Sequence, residues 1–214
     1  MRLLTGILTI ILTSAVFSQT NTTSFFDKTD MLLSKVVANG LVDYNSLQQN
    51  HSAELRELTG IIASMPSAEL QDPAIRKAFY INSYNILTLQ SVVNNMPLNS
   101  PQDVGGFFDR KKHSVAGEAL TLNDLENKKV RDEFGDARIH FVLVCAAKGC
   151  PILIPEAYRP ATLDKQLEKQ TRAALNDPLH VEVNSASKEV KIYELFKWYK
   201  EDFVTCITQA IKSY

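Results

Sequence analysis

The sequence predicts an α+β fold, a helix-rich single domain packed on a small mixed β-sheet. Helical periodicities come first along the chain, and short apolar or alternating runs, mixed with further helices, come only later. No repeat, low-complexity tract or Pro/Gly/Ser-rich linker divides the 214 residues, of which 45% are apolar, so one core can close without staples.

Residues 24–38 place Phe25, Leu32, Leu33, Val36 and Val37 at helical spacing, and Asn39-Gly40 supplies a stop. A short extended piece, Leu41-Val42-Asp43-Tyr44, precedes a second amphipathic helix at 53–65 that ends before Pro66. Asp72-Pro73 opens the strongest helical pattern, with Asp as N-cap, Pro at the first helical position, and Ile75, Phe79, Ile86, Leu87, Leu89 and Val93 on its apolar face. Residues 98–112, with Gly105-Gly106 and Phe107-Phe108, read as a surface loop pinned by aromatics. A small hairpin around Gly117 follows, and Thr121 with Asp124 three residues on caps a helix running to about Glu133.

The apolar run at 138–145 predicts a strand covered on both faces, central in the sheet. Pro151 and Pro155 keep the next stretch out of helix. A polar-faced helix is expected at 162–175, a hairpin pairing Val181-Glu182-Val183 with Val190-Lys191-Ile192, and a closing helix from about 198 to 212 that buries Phe203, Ile207 and Ile211. Cys206 on that face reads as a core residue.

Residues 1–18 carry one charge, Arg2, then a short apolar run and the small-residue site Val16-Phe17-Ser18, so they read as a signal peptide cleaved after Ser18. The alternative is an uncleaved membrane anchor. Export to the periplasm or beyond, with residues 19–214 as the mature domain and no stable membrane insertion after cleavage, is the expectation. Lys+Arg of 23 against Asp+Glu of 24 argues against a nucleic-acid partner or a broad footprint on anionic lipid.

Chemistry concentrates where the apolar run ends. Cys145 and Cys150 flank Ala146-Ala147-Lys148-Gly149 and are followed by Pro151. On a strand, His140 faces away from Cys145, whereas Cys150 on a glycine-containing turn can fold back toward the imidazole and form a Cys-His nucleophile pair. In an oxidising compartment a Cys145–Cys150 disulfide is the rival reading. A zinc site would need paired ligands that C-x4-C with one His lacks, so neither metal nor cofactor is expected.

The long helix pairs Tyr80 with Tyr84 and Asn82 with Asn85 on its sides, and amides among apolar residues either fix a neighbouring backbone or orient a catalytic group or substrate. Glu126 and Arg131 can flank the same site. His51, His113 and His180 have no recognisable partner.

Three stretches together resemble the domain of unknown function 547 family: the run Ala78-Phe79-Tyr80-Ile81-Asn82-Ser83-Tyr84-Asn85-Ile86-Leu87-Thr88-Leu89, the run Leu120-Thr121-Leu122-Asn123-Asp124-Leu125-Glu126, and the run from Asp136 through Arg138, His140, Cys145 and Cys150 to Pro151. The Val42-Asp43-Tyr44 piece and the Tyr158 region fit too, so the similarity spans about 40–175. The resemblance implies weight on Asn82, Asn85, Glu126, Arg138, His140, Cys145 and Cys150, and no settled activity. Where members commonly have Glu-His followed by Arg, this chain has Glu126-Asn127 with Arg131.

The reading that follows is a cysteine-dependent hydrolase or acyl transferase on amide bonds. Cys150 attacks, His140 takes the proton, Asn82 or Glu126 orients the imidazole, and Asn85, Tyr84, Arg138 and Cys145 contact substrate. The rival is a non-catalytic cell-envelope binding module, in which the Cys145–Cys150 disulfide and the Phe107-Phe108 loop shape a pocket for a peptide, amide or glycan ligand.

Overall fold

The computed structural model describes residues 20–147, 149–178 and 180–204. The expected leader and Cys206 lie outside these residues. Thr20 caps α1 (Asn21–Val36) by accepting from the Thr23 amide, and the apolar positions read from its sequence face inward. Val37–Ala38 and Leu41–Val42, β1 and β2, pair antiparallel around Asn39-Gly40. Asp43 then caps α2 (Tyr44–Asn50), a short helix for which the sequence showed no apolar periodicity, and α3 (Ser52–Ser64) follows.

The long helix is α4 (Pro73–Val93), capped by Asp72, whose Oδ1 accepts from Ala74 N at 2.8 Å and Ile75 N at 3.0 Å. It is not amphipathic in place. From residue 78 to residue 89 every side chain is buried, because α1, α2, α3 and the Leu125–Arg131 segment all pack around it. Asn82, Asn85, Ser83 and Thr88 are therefore interior groups.

β3 (His113–Val115) and β4 (Glu118–Leu120) form the expected hairpin, with Ala116 and Gly117 both at positive φ, the geometry whose twist suits a two-residue loop. The Thr121/Asp124 capping box starts α5 (Leu122–Asp124), which continues as a π-helix over Leu125–Arg131 and then as α6 (Asp132–Phe134) to Gly135. α7 spans Leu163–Leu175, β5 (Val181–Asn184) and β6 (Glu189–Ile192) make the second expected hairpin, and α8 (Glu194–Trp198) begins earlier than its periodicity suggested. After a break at Tyr199 the helix resumes over 200–204.

The class is α+β, but among the described residues the strands form three separate two-stranded antiparallel sheets rather than one mixed sheet. The central strand expected at 138–145 is the reason. Asp136 accepts from the Arg138 amide and turns Ala137–Phe141 into a 3-10 helix. The extended residues after it find no strand partner; Asn85 takes that place, donating to Val142 O at 3.0 Å and accepting from Val144 N at 2.9 Å. Apart from His140 the run Ile139 to Val144 is apolar because it is buried, its 3-10 part packing chiefly against α7, and burial alone does not specify a strand.

Candidate functional site

A cavity of about 110 Å³ lies between this turn and the C-terminal hairpin-helix unit. One wall comes from the core: Tyr84 of α4, Glu126 of the π-helix, His140 and Leu143, and the turn residues Cys145, Cys150 and Pro151. The other wall is Tyr193, Leu195, Trp198 and Tyr199. Cys145 and Cys150 are joined in a disulfide, with Cα atoms 5.9 Å apart. Gly149 between them sits at φ +86°, and a Cβ there would stand 3.1 Å from the Tyr193 hydroxyl, so the two walls meet where only glycine fits comfortably.

Glu126, 9% exposed, is the polar centre of the cavity. The Tyr199 hydroxyl donates to its Oε1 at 2.6 Å, and the Tyr84 phenol lies beside the same carboxylate. Burial, with Glu126 beside them, pushes both phenols far above their ordinary range, so they remain donors. A π-helical insertion, which places Glu126 here, is a common device at functional positions.

His140 is held from the other side. Its Nε2 lies 2.7 Å from Asp202 Oδ2, and its ring stacks on Tyr199 with centroids 3.8 Å apart at 23°. Arg131 grips the same carboxylate in a fork, Nε to Oδ2 at 2.6 Å and Nη2 to Oδ1 at 3.0 Å. Burial lowers the His140 pKa more than Asp202 raises it, so the imidazole is neutral near pH 7, donates from Nε2–H to Asp202 and keeps Nδ1 as an acceptor. Arg131 in turn lowers the Asp202 pKa. Asn127, where relatives were expected to carry His, accepts from Arg131 Nη1 at 3.3 Å and so supports the clamp.

The structure thus brings together Tyr84, Glu126, His140, Cys145 and Cys150, and sets the other expected site residues elsewhere. The Asn82 amide is spent on the main chain of Tyr158, donating to its O at 2.8 Å and accepting from its N at 3.0 Å, with a further bond to Ala78 O. It orients a loop, not the imidazole; Asp202 does that. Asn85 likewise fixes backbone rather than substrate.

Arg138 lies at a separate open groove, paired with Asp136 and Asp164. Burial pushes Asp136 upward, but hydrogen bonds from Arg138 and Lys77 outweigh it and bring the pKa down to about 2. Phe107 and Phe108 make an edge-on pair in their loop at 4.7 Å and do not line the cavity. The expectation that His140 faces away from Cys145 failed with the strand that implied it, since both line one space. With the sulfurs joined, Cys150 carries no thiol for His140 to activate.

Sequence reasoning missed Tyr193, Trp198, Tyr199 and Asp202. The available signal was the aromatic pair Trp198-Tyr199 set among charged residues, with Trp198 66% exposed. Among the described residues no helix is long and apolar enough to cross a membrane, and no three His, Cys, Asp or Glu side chains are placed to hold a metal ion. The model of a family described as protein of unknown function, DUF547, matches residues 68–174, half of the chain. The Val42-Asp43-Tyr44 piece falls outside that match, as does the whole second wall of the cavity. No curated protein and no solved structure matches the chain.

Proposed function

The chain belongs to the DUF547 family, for which no activity is settled, and from its cavity we propose that it is an exported ligand-binding module of the cell envelope. The Cys145–Cys150 disulfide in the cavity wall carries this reading. A joined pair offers no thiolate to attack an amide carbonyl, while it braces the turn as a binding surface. The leader pattern of residues 1–18 and a disulfide suited to an oxidising compartment both support export. Rings at Tyr193, Trp198 and Tyr199 around one buried carboxylate suit a peptide, amide or glycan group that offers donors and an apolar face.

One observation favours a second reading, a thiol hydrolase or acyl transferase active after reduction: His140, backed by Asp202, lines the same cavity as both sulfurs. In that form the Cys150 sulfur attacks an amide carbonyl, its proton passes through His140 to the departing amine, and water cleaves the resulting thioester. Peptide mapping of the exported protein with and without alkylation tests the choice. The binding module predicts a linked Cys145–Cys150 peptide, Trp198 fluorescence that responds saturably to an envelope peptide or glycan, and no amide cleavage before or after mild reduction. A fast-alkylating Cys150 with cleavage that disappears in Cys150→Ala would overturn it.

A further inference from the structure

Resting on the binding-module reading, we propose that the cavity recognises a primary ammonium group, seated against Glu126 and walled by the aromatic rings. The first argument is charge. Of the two carboxylates at the site, Asp202 is answered by the bidentate Arg131 fork and by His140. Among the described residues Glu126 is answered by neutral phenols, those of Tyr84 and Tyr199. Among the described residues none that lines the cavity is Lys or Arg, and Arg131, a cation close by, is committed to Asp202 while lying 5.3 Å from the centre of the Tyr199 ring.

The second argument is the shape and chemistry of the walls. The rings of Tyr193 and Trp198 line the cavity beside Glu126, with Tyr199 already stacked on His140, and a cation is attracted to aromatic rings most when it leaves bulk water. The charged acceptor of the lining is the Glu126 carboxylate, and neutral His140, whose Nε2 is taken by Asp202, keeps Nδ1 as a second acceptor. A group with three donors and one positive charge completes that set. A volume of about 110 Å³ holds several waters, and hence an ammonium with a few methylenes or one sugar ring edge, not a long chain. A charge-assisted bond to a buried carboxylate is also where a neutral isostere loses most.

The shared chemistry has two sources in an envelope, a lysine-type side chain and an amino sugar, and the probes separate them. Wild-type protein is titrated, following the single tryptophan Trp198, with Nα-acetyl-lysine amide and with glucosamine, each against its N-acetylated counterpart that lacks the charge. The expected result is binding of at least one ammonium probe about ten-fold tighter than its acetylated partner, the tighter scaffold naming the source. Calorimetry on Glu126→Gln should bring that ratio to within about two-fold. Should that variant fail to fold, the wild-type ratios stand as the test, because they need no substitution.

Acetylated probes binding as tightly as the free amines would overturn the ammonium assignment and leave the binding module intact. Silence from all four at millimolar concentration would overturn it as well, and the neutral peptides and glycans above would then decide the broader reading separately.

Discussion

In the wall built by α4 and the 137–151 turn, the chain is fixed by buried amides: Asn82 and Asn85, 1% and 2% exposed, each take both a donor and an acceptor from another segment's main chain. In the wall built by β5 to α8, attachment runs through charged side chains partly open to water, Arg131 at 28% and Asp202 at 22%, through the Tyr199–Glu126 bond, and through rings. Val183, Val190 and Ile192 of its hairpin stay exposed. These attachments predict that the first wall is lost only with the core, whereas the second opens while the core stays folded. A pocket built in that way would admit a ligand without unfolding.

The largest effect that would test this contrast is Asn85→Ala. It leaves Val142 O and Val144 N buried without partners and opens a small void, so a loss of about 3–5 kcal/mol in urea unfolding at unchanged slope is expected. A loss under about 1 kcal/mol would mean that the core wall is not held by this amide.

Next is a pH effect, which the core and the second wall share unequally. Burial lowers the His113 pKa from 6.5 to about 4, and His113 packs in the β3 edge of the core. A His whose folded pKa lies below its unfolded value stabilises fully above the unfolded value, and the contribution is lost as pH falls. Between pH 6.5 and 4 the core should lose about 3 kcal/mol. Burial shifts His140 the same way, and its bond to Asp202 ties the loss that follows as pH falls below the ordinary histidine value to the second wall. Asp202 adds to it only once pH falls below the ordinary carboxyl value. In His113→Gln the core loss should vanish from acid-titrated denaturation curves while the protection of 189–204, taken relative to the intrinsic exchange rate at each pH, still falls on acidification. If both responses vanish together, the second wall is no independent unit.

The same contrast explains what could be read from the sequence. Local signals were sufficient where one segment satisfies itself: Asp72 with Pro73, the Thr121/Asp124 capping box, and Ala116-Gly117 closing a hairpin. Of the eight residues expected at one site, Tyr84, Glu126, His140, Cys145 and Cys150 do line one cavity, whereas Asn82, Asn85 and Arg138 do not. What failed was long-range. Nothing near Val142 shows that a side chain 57 residues earlier supplies the ladder a strand would need. Nothing near His140 shows that its carboxylate partner stands 62 residues later, in a segment that presents ordinary surface composition. Pairings of this kind are set by topology, and composition is silent on them.

Asp202→Asn should act on the second wall alone. It removes the charge from the Arg131 fork and from the His140 bond, where Arg131 and Asp202 are roughly three-quarters buried and His140 almost wholly so, and a loss near 1–2 kcal/mol is expected. Native-state hydrogen exchange over 189–204 should quicken about ten-fold, with the urea midpoint of the core nearly unmoved. A matching drop in the midpoint would join the two walls into one cooperative unit.

The smallest effect discriminates between ways of attaching the second wall. Lys191 and Glu182 pair across β5 and β6 at 3.2 Å, but their side chains are 75% and 58% exposed, and such pairs contribute little once solvent screening is counted. Lys191→Ala should therefore change exchange protection in 189–204 by no more than about 0.5 kcal/mol, and added salt should leave it unaffected. A larger, salt-sensitive loss would mean that the hairpin's own charges hold it in shape for docking and that the Arg131–Asp202 clamp merely caps a preformed unit. In that event the pocket would open at the hairpin rather than at the clamp, and ligand entry past Trp198 would respond to ionic strength.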